Sequence, residues 1–157
     1  MNLYFRLLWI VLHALKRPLI TESNLANEIH TRVMPNDLDI NLHMNNGRYL
    51  TICDFTRVDL FVRSGLARLM LKNGWNPVVA EHTMTYIKPL NVFDKIKVTM
   101  SISHSDEKYF YCQHKFFRHD KLVAEGTSKA LVISKSGRLE PAYILAQVRQ
   151  YQSSRAL

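Results

Sequence analysis

Residues 37–49 read Asp-Leu-Asp-Ile-Asn-Leu-His-Met-Asn-Asn-Gly-Arg-Tyr, and the interpretation of the whole chain starts from this stretch. Polar side chains alternate here with Leu, Ile and Met, and successive side chains of an extended chain point to opposite faces. The pattern therefore predicts that Asp39, Asn41 and His43 share one face and that the apolar residues between them share the other. Asn45 and Asn46 follow, and asparagine is a good cap for a helix N-terminus.

A long helix is predicted directly after these caps, over residues 47–62, with Gly65 ending it. Its apolar residues cover most of the helix circumference, which indicates that the rest of the domain encloses it. A second, short helix is predicted over residues 66–72.

The remainder of the chain alternates with a period of two, which is typical of strands. One strand is predicted before the motif, at residues 28–34, and four after it, at 78–88, 95–103, 108–118 and 122–134. Ser136-Gly137 is predicted to end the sheet, and a last helix to start at Pro141. Short turns between strands imply antiparallel neighbours. We therefore expect an α+β domain in which one long helix is wrapped by a five-stranded antiparallel sheet.

Composition limits the function classes. The chain has 157 residues, 47% hydrophobic and 22% charged, as expected for one globular domain, and its formal charge of +8 favours an anionic partner. A membrane surface or a polyphosphate such as coenzyme A fits this charge. We expect no nucleic-acid partner, because the basic residues are scattered and no nucleic-acid-binding motif is present. Cys53 and Cys112 are predicted to be buried free thiols, which suits the reducing cytoplasm.

The first 17 residues form a separate feature. They are apolar but too short to span a bilayer, and they lack the charge order of a signal peptide. On a helical wheel one face carries the basic residues Arg6, His13 and Arg17. The other face carries Leu3, Leu7, Ile10 and Ala14. We expect residues 1–18 to form an amphipathic helix and 19–157 a single domain. The helix either lies peripherally on a membrane through residues 1–17 or packs on the domain or a partner subunit.

The motif at 37–49, followed by the long helix and four strands, resembles the hotdog-fold thioesterases over residues 28–135. It is most similar to the plant acyl-ACP thioesterases and to a branch of the superfamily with an apolar N-terminal helix. This resemblance implies a hotdog fold and hydrolysis of an acyl-CoA or acyl-ACP without metal or organic cofactor. It also implies a homodimer or homotetramer with the acyl pocket at the subunit interface.

By the same resemblance, Asp39, Asn41 and His43 correspond to the acid, amide and imidazole of the plant enzymes' active site. Asp39 also falls where the 4-hydroxybenzoyl-CoA thioesterases keep their catalytic aspartate. The plant enzymes have a further glutamate where this chain reads Pro89-Leu90, so the four-residue version of the site is not reproduced.

Thioester hydrolysis needs a base or nucleophile and donors for the developing oxyanion. We expect Asp39 to attack the carbonyl or activate water, Asn41 to position the water or the acid, and His43 to hydrogen-bond the acid or the carbonyl. The expected oxyanion donors are backbone N–H groups of Asn45, Asn46 and Gly47, because they lie at the positive end of the helix dipole.

The other acids and histidines that the sequence places in helices and strands are expected to stabilise the fold rather than to act in catalysis. Asp54 is expected to be a paired carboxylate in the long helix, and Glu81 and His82 to have surface or cross-strand partners. A calcium loop starting at Asp37 is excluded, because its sixth and twelfth positions hold Leu42 and Arg48. Histidine spacing predicts no metal site.

Two rivals to hydrolysis stay open at this stage. One is a membrane-attached acyl-CoA-binding scaffold without turnover, which the absent glutamate and the N-terminal helix favour. The other is an enoyl-CoA hydratase of the same fold, which also uses an acid and a histidine.

Overall fold

The structure is a computed structural model that describes residues 3–155. These residues form four α-helices and six β-strands. In chain order they are α1 (Leu3–Ala14), β1 (Ala26–Arg32), α2 (Asn46–Ser64), α3 (Leu66–Asn73), β2 (Asn76–Tyr86), β3 (Lys95–Ser105), β4 (Phe110–Arg118), β5 (Lys121–Ser134), β6 (Gly137–Leu139) and α4 (Pro141–Arg155). No helix within residues 3–155 has both the length and the apolar character needed to cross a bilayer.

The strands form one antiparallel sheet in the order β1-β3-β4-β5-β2, with β6 paired to the end of β5. Helix α2 packs across this sheet, mainly against β1 and β3. This arrangement confirms the predicted α+β architecture of a long helix wrapped by an antiparallel sheet. The prediction that Ser136-Gly137 ends the sheet is wrong, because these residues turn the chain into β6.

Helix α2 begins and ends as its sequence predicts. Asn45 is its N-cap, and Gly65 is its C-cap with φ of 85°, a left-handed conformation that favours glycine. Between them the helix buries Tyr49, Ile52 and Phe55 in the core. The sheet contributes Val98, Phe116 and Val123 to the same core cluster.

Helix α1 packs on the domain through the apolar face that the helical wheel predicts. Ile10 and Ala14 are buried, and Leu3 and Leu7 are partly buried against the core. The predicted basic face is divided, because His13 is exposed whereas Arg6 is only 3% exposed and Arg17 donates to the Glu28 carbonyl and the Asp59 carboxylate. The outer face of the helix is mostly apolar, and its exposed residues include Phe5, Leu8, Trp9 and Leu12.

Candidate active site

The segment between β1 and α2 is a tight loop rather than an extended strand. Leu38 and Met44 form an isolated antiparallel bridge, and the Asp39 N–H donates to the His43 carbonyl at 2.9 Å. The chain reverses between them, where the Leu42 N–H donates to the Asp39 carbonyl at 3.1 Å and Leu42 takes φ of 60°. A branched residue in this left-handed region is strained, by about 1 kcal/mol.

The predicted segregation of faces in this loop is therefore wrong. Leu38 and Met44 point into the protein, with Met44 only 3% exposed. Ile40 and Leu42 lie on the turn and are 97% and 72% exposed, although the alternation assigned them to the inner face. An alternating pattern cannot reveal a reversal of the chain, because a turn reassigns faces without changing the sequence of polar and apolar residues.

Asp39 is partly buried at the base of this loop. Its Oδ1 accepts a hydrogen bond from the backbone N–H of Asn41 at 2.8 Å, and it forms no ion pair within residues 3–155. The Asn41 and His43 side chains are exposed, so the loop supports Asp39 with backbone groups. The loop is anchored by the His43–Asn91 bridge and by the Met44 N–H, which donates to the Leu90 carbonyl at 2.8 Å. Asp39 thus presents a carboxylate that no cation of the described residues neutralises.

Asp37, two residues earlier, has the opposite environment. It is 1% exposed, and both of its carboxylate oxygens accept hydrogen bonds from Arg6 Nη1, at 2.9 and 2.7 Å. Oδ2 also accepts from the Met34 N–H at 2.9 Å. Sequence reasoning missed this pair because its partners lie 31 residues apart. The only available signal was an arginine inside an otherwise apolar helix.

The start of α2 supplies fewer free donors than the sequence predicts. The Asn45 N–H donates to the Asp37 carbonyl at 2.8 Å, and the Gly47 N–H donates to the Asn45 side chain at 2.8 Å. Asn45 is thereby confirmed as the helix cap, and neither of these N–H groups is available to a substrate. The Asn46 N–H has no partner among residues 3–155. Of the three N–H groups predicted as oxyanion donors, the Asn46 N–H is therefore the one that remains without a partner within residues 3–155.

Strand β2 reaches the same end of α2. The Tyr86 hydroxyl donates to the Asn46 carbonyl at 3.3 Å, and the Tyr86 ring meets Tyr49 edge-on with 4.9 Å between centroids. Burial raises the pKa of Tyr49 to about 12, so this phenol remains protonated. Where the plant enzymes have their extra glutamate, this chain has Leu90, which is fully buried and supports the loop with its carbonyl.

Further along α2, a polar cluster is buried beneath the helix. Arg57 is 6% exposed and forms an ion pair with Asp54, one turn earlier on the helix. Arg57 Nη2 lies 3.4 Å from His82 Nδ1 on β2 and 3.4 Å from Ser128 Oγ on β5. Ser128 Oγ in turn lies 2.9 Å from His114 Nε2 on β4. Asp54 is a paired carboxylate, as predicted, and the pairing of Glu81 with Lys129 across the strands, at 2.7 Å, is also confirmed.

The ionisation of this cluster follows from its burial. Burial, together with the charge of Arg57 and the neighbouring His82, lowers the pKa of His114 to about 3. Burial and Arg57 also lower the pKa of His82. Burial raises the pKa of the Cys53 thiol to about 12. At neutral pH both imidazoles are therefore neutral and the thiol is protonated.

Metal-ligating side chains also meet at this point. Cys53, His82 and His114 offer ligand atoms that all lie within 4.8 Å of one another. They come from α2, β2 and β4, so no spacing in the sequence could indicate the group. Both cysteines are free and buried, as predicted.

A basic cavity of about 720 Å³ lies between α1 and the edge of the sheet formed by β1 and β3. Its cations include Arg32, Lys95 and Lys97, and its apolar wall includes Trp9 and Phe117. Arg32 ends β1 and Lys95 begins β3, and the chain leads directly from these positions to the Asp39 loop and to the Leu90 segment that supports it.

Comparison with known proteins gives the family and the fold. Residues 33–150 match the model of the thioesterase-like superfamily. Protein THEM6 of Xenopus laevis is 33% identical over 129 residues, which are 81% of this chain and 62% of THEM6. The chain spans between 50% and 62% of the length of the THEM6 proteins that it matches.

Two solved structures illustrate the similarity in fold. A gentisyl-coenzyme A thioesterase superposes with a TM-score of 0.70 at 18% identity, over 78% of this chain and 99% of that one. A Staphylococcus aureus protein solved in complex with CoA superposes with a TM-score of 0.69 at 16% identity, over 86% and 87% of the two chains. Since the family match extends over most of the sequence, this chain belongs to the thioesterase-like superfamily.

Proposed function

We propose that this protein hydrolyses an acyl-coenzyme A or acyl-ACP to a free acid and a thiol. The observation that carries the proposal is the pairing of Asp39, a carboxylate without a counter-ion in the described chain, with the unpartnered N–H of Asn46. The two groups are held at the two ends of one short loop, which the Leu38–Met44 bridge closes just before the helix cap. A base and an oxyanion donor carried by one short loop supply the minimal groups for acyl transfer to water.

The chemistry can be written from these two groups. Asp39 either accepts a proton from water as the water attacks the carbonyl carbon, or attacks that carbon itself. The Asn46 N–H donates to the developing oxyanion at the positive end of the α2 dipole. The C–S bond then breaks and the thiolate leaves, taking up a proton from Asp39 or from water. If Asp39 has attacked the carbon itself, water hydrolyses the resulting anhydride, which releases the acid and restores the carboxylate. The exposed side chains of Asn41 and His43 flank Asp39, where they orient the water and hydrogen-bond the acid or the carbonyl.

Coenzyme A is our proposed carrier. The names of two similar structures, a gentisyl-coenzyme A thioesterase and a protein solved with CoA, support this choice. The basic cavity supports it too, because Arg32 and Lys95 form no ion pair within residues 3–155 and can receive phosphates, and Arg32 precedes the Asp39 loop by only a few residues of chain. The pantetheine arm would then run from this cavity to the loop. We propose no metal or organic cofactor for the reaction.

We also propose that the protein is a homodimer formed along β2, or a tetramer of such dimers. Strand β2 is the last strand of the sheet order, eleven residues long, and its outer edge pairs with no other strand of residues 3–155. Val79 and Tyr86 on it are 39% and 41% exposed. A long, partly apolar edge strand is a template for pairing with a second chain.

A membrane surface is our proposed second partner. The exposed face of α1 carries Phe5, Leu8 and Trp9, and the basic cavity opens beside it, so apolar insertion and attraction to anionic lipid reinforce each other. Trp9 borders both the apolar face and the basic cavity. Tryptophan suits this boundary, because it prefers the depth of lipid headgroups.

A panel of acyl-CoA thioesters, assayed for free thiol, tests the proposed function. Rapid thiol release supports hydrolysis. Tight binding without release would favour the acyl-CoA-binding scaffold. Addition of water to an enoyl-CoA without thiol release would favour the hydratase. Either of these last two results contradicts the proposal.

A further inference from the structure

Three of the four buried side-chain nitrogen and oxygen atoms without a hydrogen-bond partner, within residues 3–155, belong to one cluster. They are Arg57 Nε, His82 Nε2 and His114 Nδ1. A buried polar group without a partner costs about 1–3 kcal/mol, so three at one place indicate a missing ligand rather than chance. We call these residues the Arg57–His82–His114 cluster.

Hydrogen bonding fixes the proton on His82. A guanidinium has only donors, so His82 Nδ1 must accept from Arg57 Nη2, 3.4 Å away. A neutral imidazole with an accepting Nδ1 carries its proton on Nε2. His82 Nε2 is therefore an N–H donor without an acceptor.

The His114 ring is less restricted. Ser128 Oγ accepts from Arg57 Nη2 at 3.4 Å and lies 2.9 Å from His114 Nε2. Because a hydroxyl both donates and accepts, His114 Nδ1 is an N–H donor in one ring tautomer and an acceptor in the other. The cluster therefore presents two fixed N–H donors without an acceptor, Arg57 Nε–H and His82 Nε2–H, and a third when His114 carries its proton on Nδ1.

This proton arrangement argues against a metal ion, although Cys53 is close enough to complete a ligand set. A metal needs the imidazole lone pairs, but His82 Nε2 carries a proton and the permanent cation Arg57 lies beside it. An oxygen acceptor, by contrast, suits the N–H donors of Arg57 and His82. Asp54, which is 64% exposed, already places one carboxylate against Arg57 from the solvent side, so an oxyanion can approach from there.

The position of the cluster relates it to the proposed active site. Cys53, beside the cluster, is seven residues along α2 from Asn46, or about 10 Å at the helical rise. Strand β2 runs alongside, from Tyr86 at Asn46 to His82 at Arg57. Leu50 and Asp54 are exposed on the helix face between the two ends. An acyl group whose carbonyl lies at Asn46 would extend along this helix face towards the cluster.

We propose that the Arg57–His82–His114 cluster binds an oxygen acceptor, a carboxylate or a hydroxyl, at the far end of the acyl group. The substrates would then be acyl thioesters with a second oxygen function about 10 Å from the thioester carbonyl. This inference rests on the proposed thioesterase function and adds the class of acyl group. A carboxylate is the better acceptor of the two, because Arg57 is charged.

Three matched thioesters test the proposal, namely octanoyl-CoA, 8-hydroxyoctanoyl-CoA and suberoyl-CoA. We expect kcat/KM for suberoyl-CoA to exceed that for octanoyl-CoA by at least tenfold, with the hydroxy compound between them. His82→Met, which is similar in size and lacks the donor, should bring this ratio close to one. His82→Gln, whose side-chain N–H replaces Nε2–H, should retain most of the preference.

Other outcomes would overturn the inference. If the wild-type protein has nearly the same kcat/KM for suberoyl-CoA and octanoyl-CoA, the cluster holds an ordered water only. If His82→Met and His82→Gln lose the preference for suberoyl-CoA over octanoyl-CoA equally, the His82 ring acts through packing. Stoichiometric zinc binding that His82→Met abolishes would assign the cluster to a metal. If no thioester is hydrolysed, calorimetric titration with suberoyl-CoA and octanoyl-CoA still decides: tighter binding of suberoyl-CoA supports the cluster, and equal binding refutes it.

Discussion

Arg6 on α1 donates two hydrogen bonds to the buried carboxylate of Asp37, two residues before the candidate catalytic Asp39. The two side chains are 3% and 1% exposed. This ion pair connects the N-terminal helix to the active-site loop, since the Asp37 carbonyl also accepts from the Asn45 N–H at the helix cap. Helix α1 is thus part of the structure that positions the site.

Arg6→Met tests this connection. Removing the guanidinium leaves the buried Asp37 carboxylate with only Arg48, whose Nε lies 3.8 Å from Oδ1, as a counter-ion. We therefore expect a loss of about 3 kcal/mol in the free energy of unfolding. Urea denaturation followed by circular dichroism measures it.

Arg149→Met, which breaks the exposed pair with Glu22, is the control and should cost at most about 1 kcal/mol. Equal losses in the two variants would mean that the Arg6–Asp37 pair does not anchor the helix. Deleting residues 1–17 is unsuitable as a membrane test, because the deletion also removes Arg6.

The apolar face of α1 can be tested without touching that pair. Phe5 and Leu8 are 65% and 54% exposed, so changing both to Gln should leave the unfolding midpoint unchanged. We expect binding to vesicles rich in phosphatidylglycerol to fall by at least tenfold, because each inserted side chain contributes about 1.5 kcal/mol or more. Vesicle co-sedimentation measures it. Leu71→Gln, at an 87% exposed position on α3, is the control, and an equal effect there would refute membrane docking through α1.

Much of the fold is predictable from local pattern. The alternation from Lys95 onward predicts β3, and Gly65 predicts the end of α2 because a left-handed cap favours glycine. Strand β6 is too short, at three residues, to produce a pattern. The apolar face of α1 was predicted correctly, but the burial of Arg6 was not, because a helical wheel does not show that Asp37 lies buried opposite it.

Acid sensitivity follows from His114. Burial lowers its pKa to about 3, whereas in the unfolded chain the pKa is near its ordinary 6.5. The unfolded state therefore binds more protons between these values, and stability falls as the pH decreases through that window. We expect the titration of His114 alone to lower the free energy of unfolding by about 2 kcal/mol between pH 7 and pH 5.

Urea denaturation of wild type and His114→Gln at the two pH values measures this contribution. On acidification from pH 7 to pH 5, the His114→Gln variant should lose about 2 kcal/mol less stability than the wild type, because Gln does not titrate. The same pH dependence in both proteins would contradict a neutral buried His114.

The cap of α2 gives a further prediction. Asn45→Ala removes the acceptor of the Gly47 N–H and should cost about 1 kcal/mol. Asn41→Ala, on the exposed turn, should change stability by less than about 0.5 kcal/mol. Thermal unfolding compares the two variants. A larger loss in Asn41→Ala would mean that its side chain, rather than its backbone N–H, holds the loop.

The site was less predictable than the fold. Asp39 was selected through a family resemblance, and no local pattern separates it from Asp37, which the structure buries in an ion pair. The loop geometry depends on Leu42 adopting a left-handed conformation that its residue type disfavours. The Arg57–His82–His114 cluster joins one helix and two strands, so only the folded chain reveals it.

The rate of thiol release by Asp39→Asn, on the best thioester of the panel, tests the central claim most directly. The substitution keeps the shape and removes the charge. We predict that kcat falls by at least about a hundredfold while the unfolding midpoint and acyl-CoA binding are retained. A kcat within about threefold of wild type would contradict the assignment of Asp39 as the group that activates water or attacks the thioester.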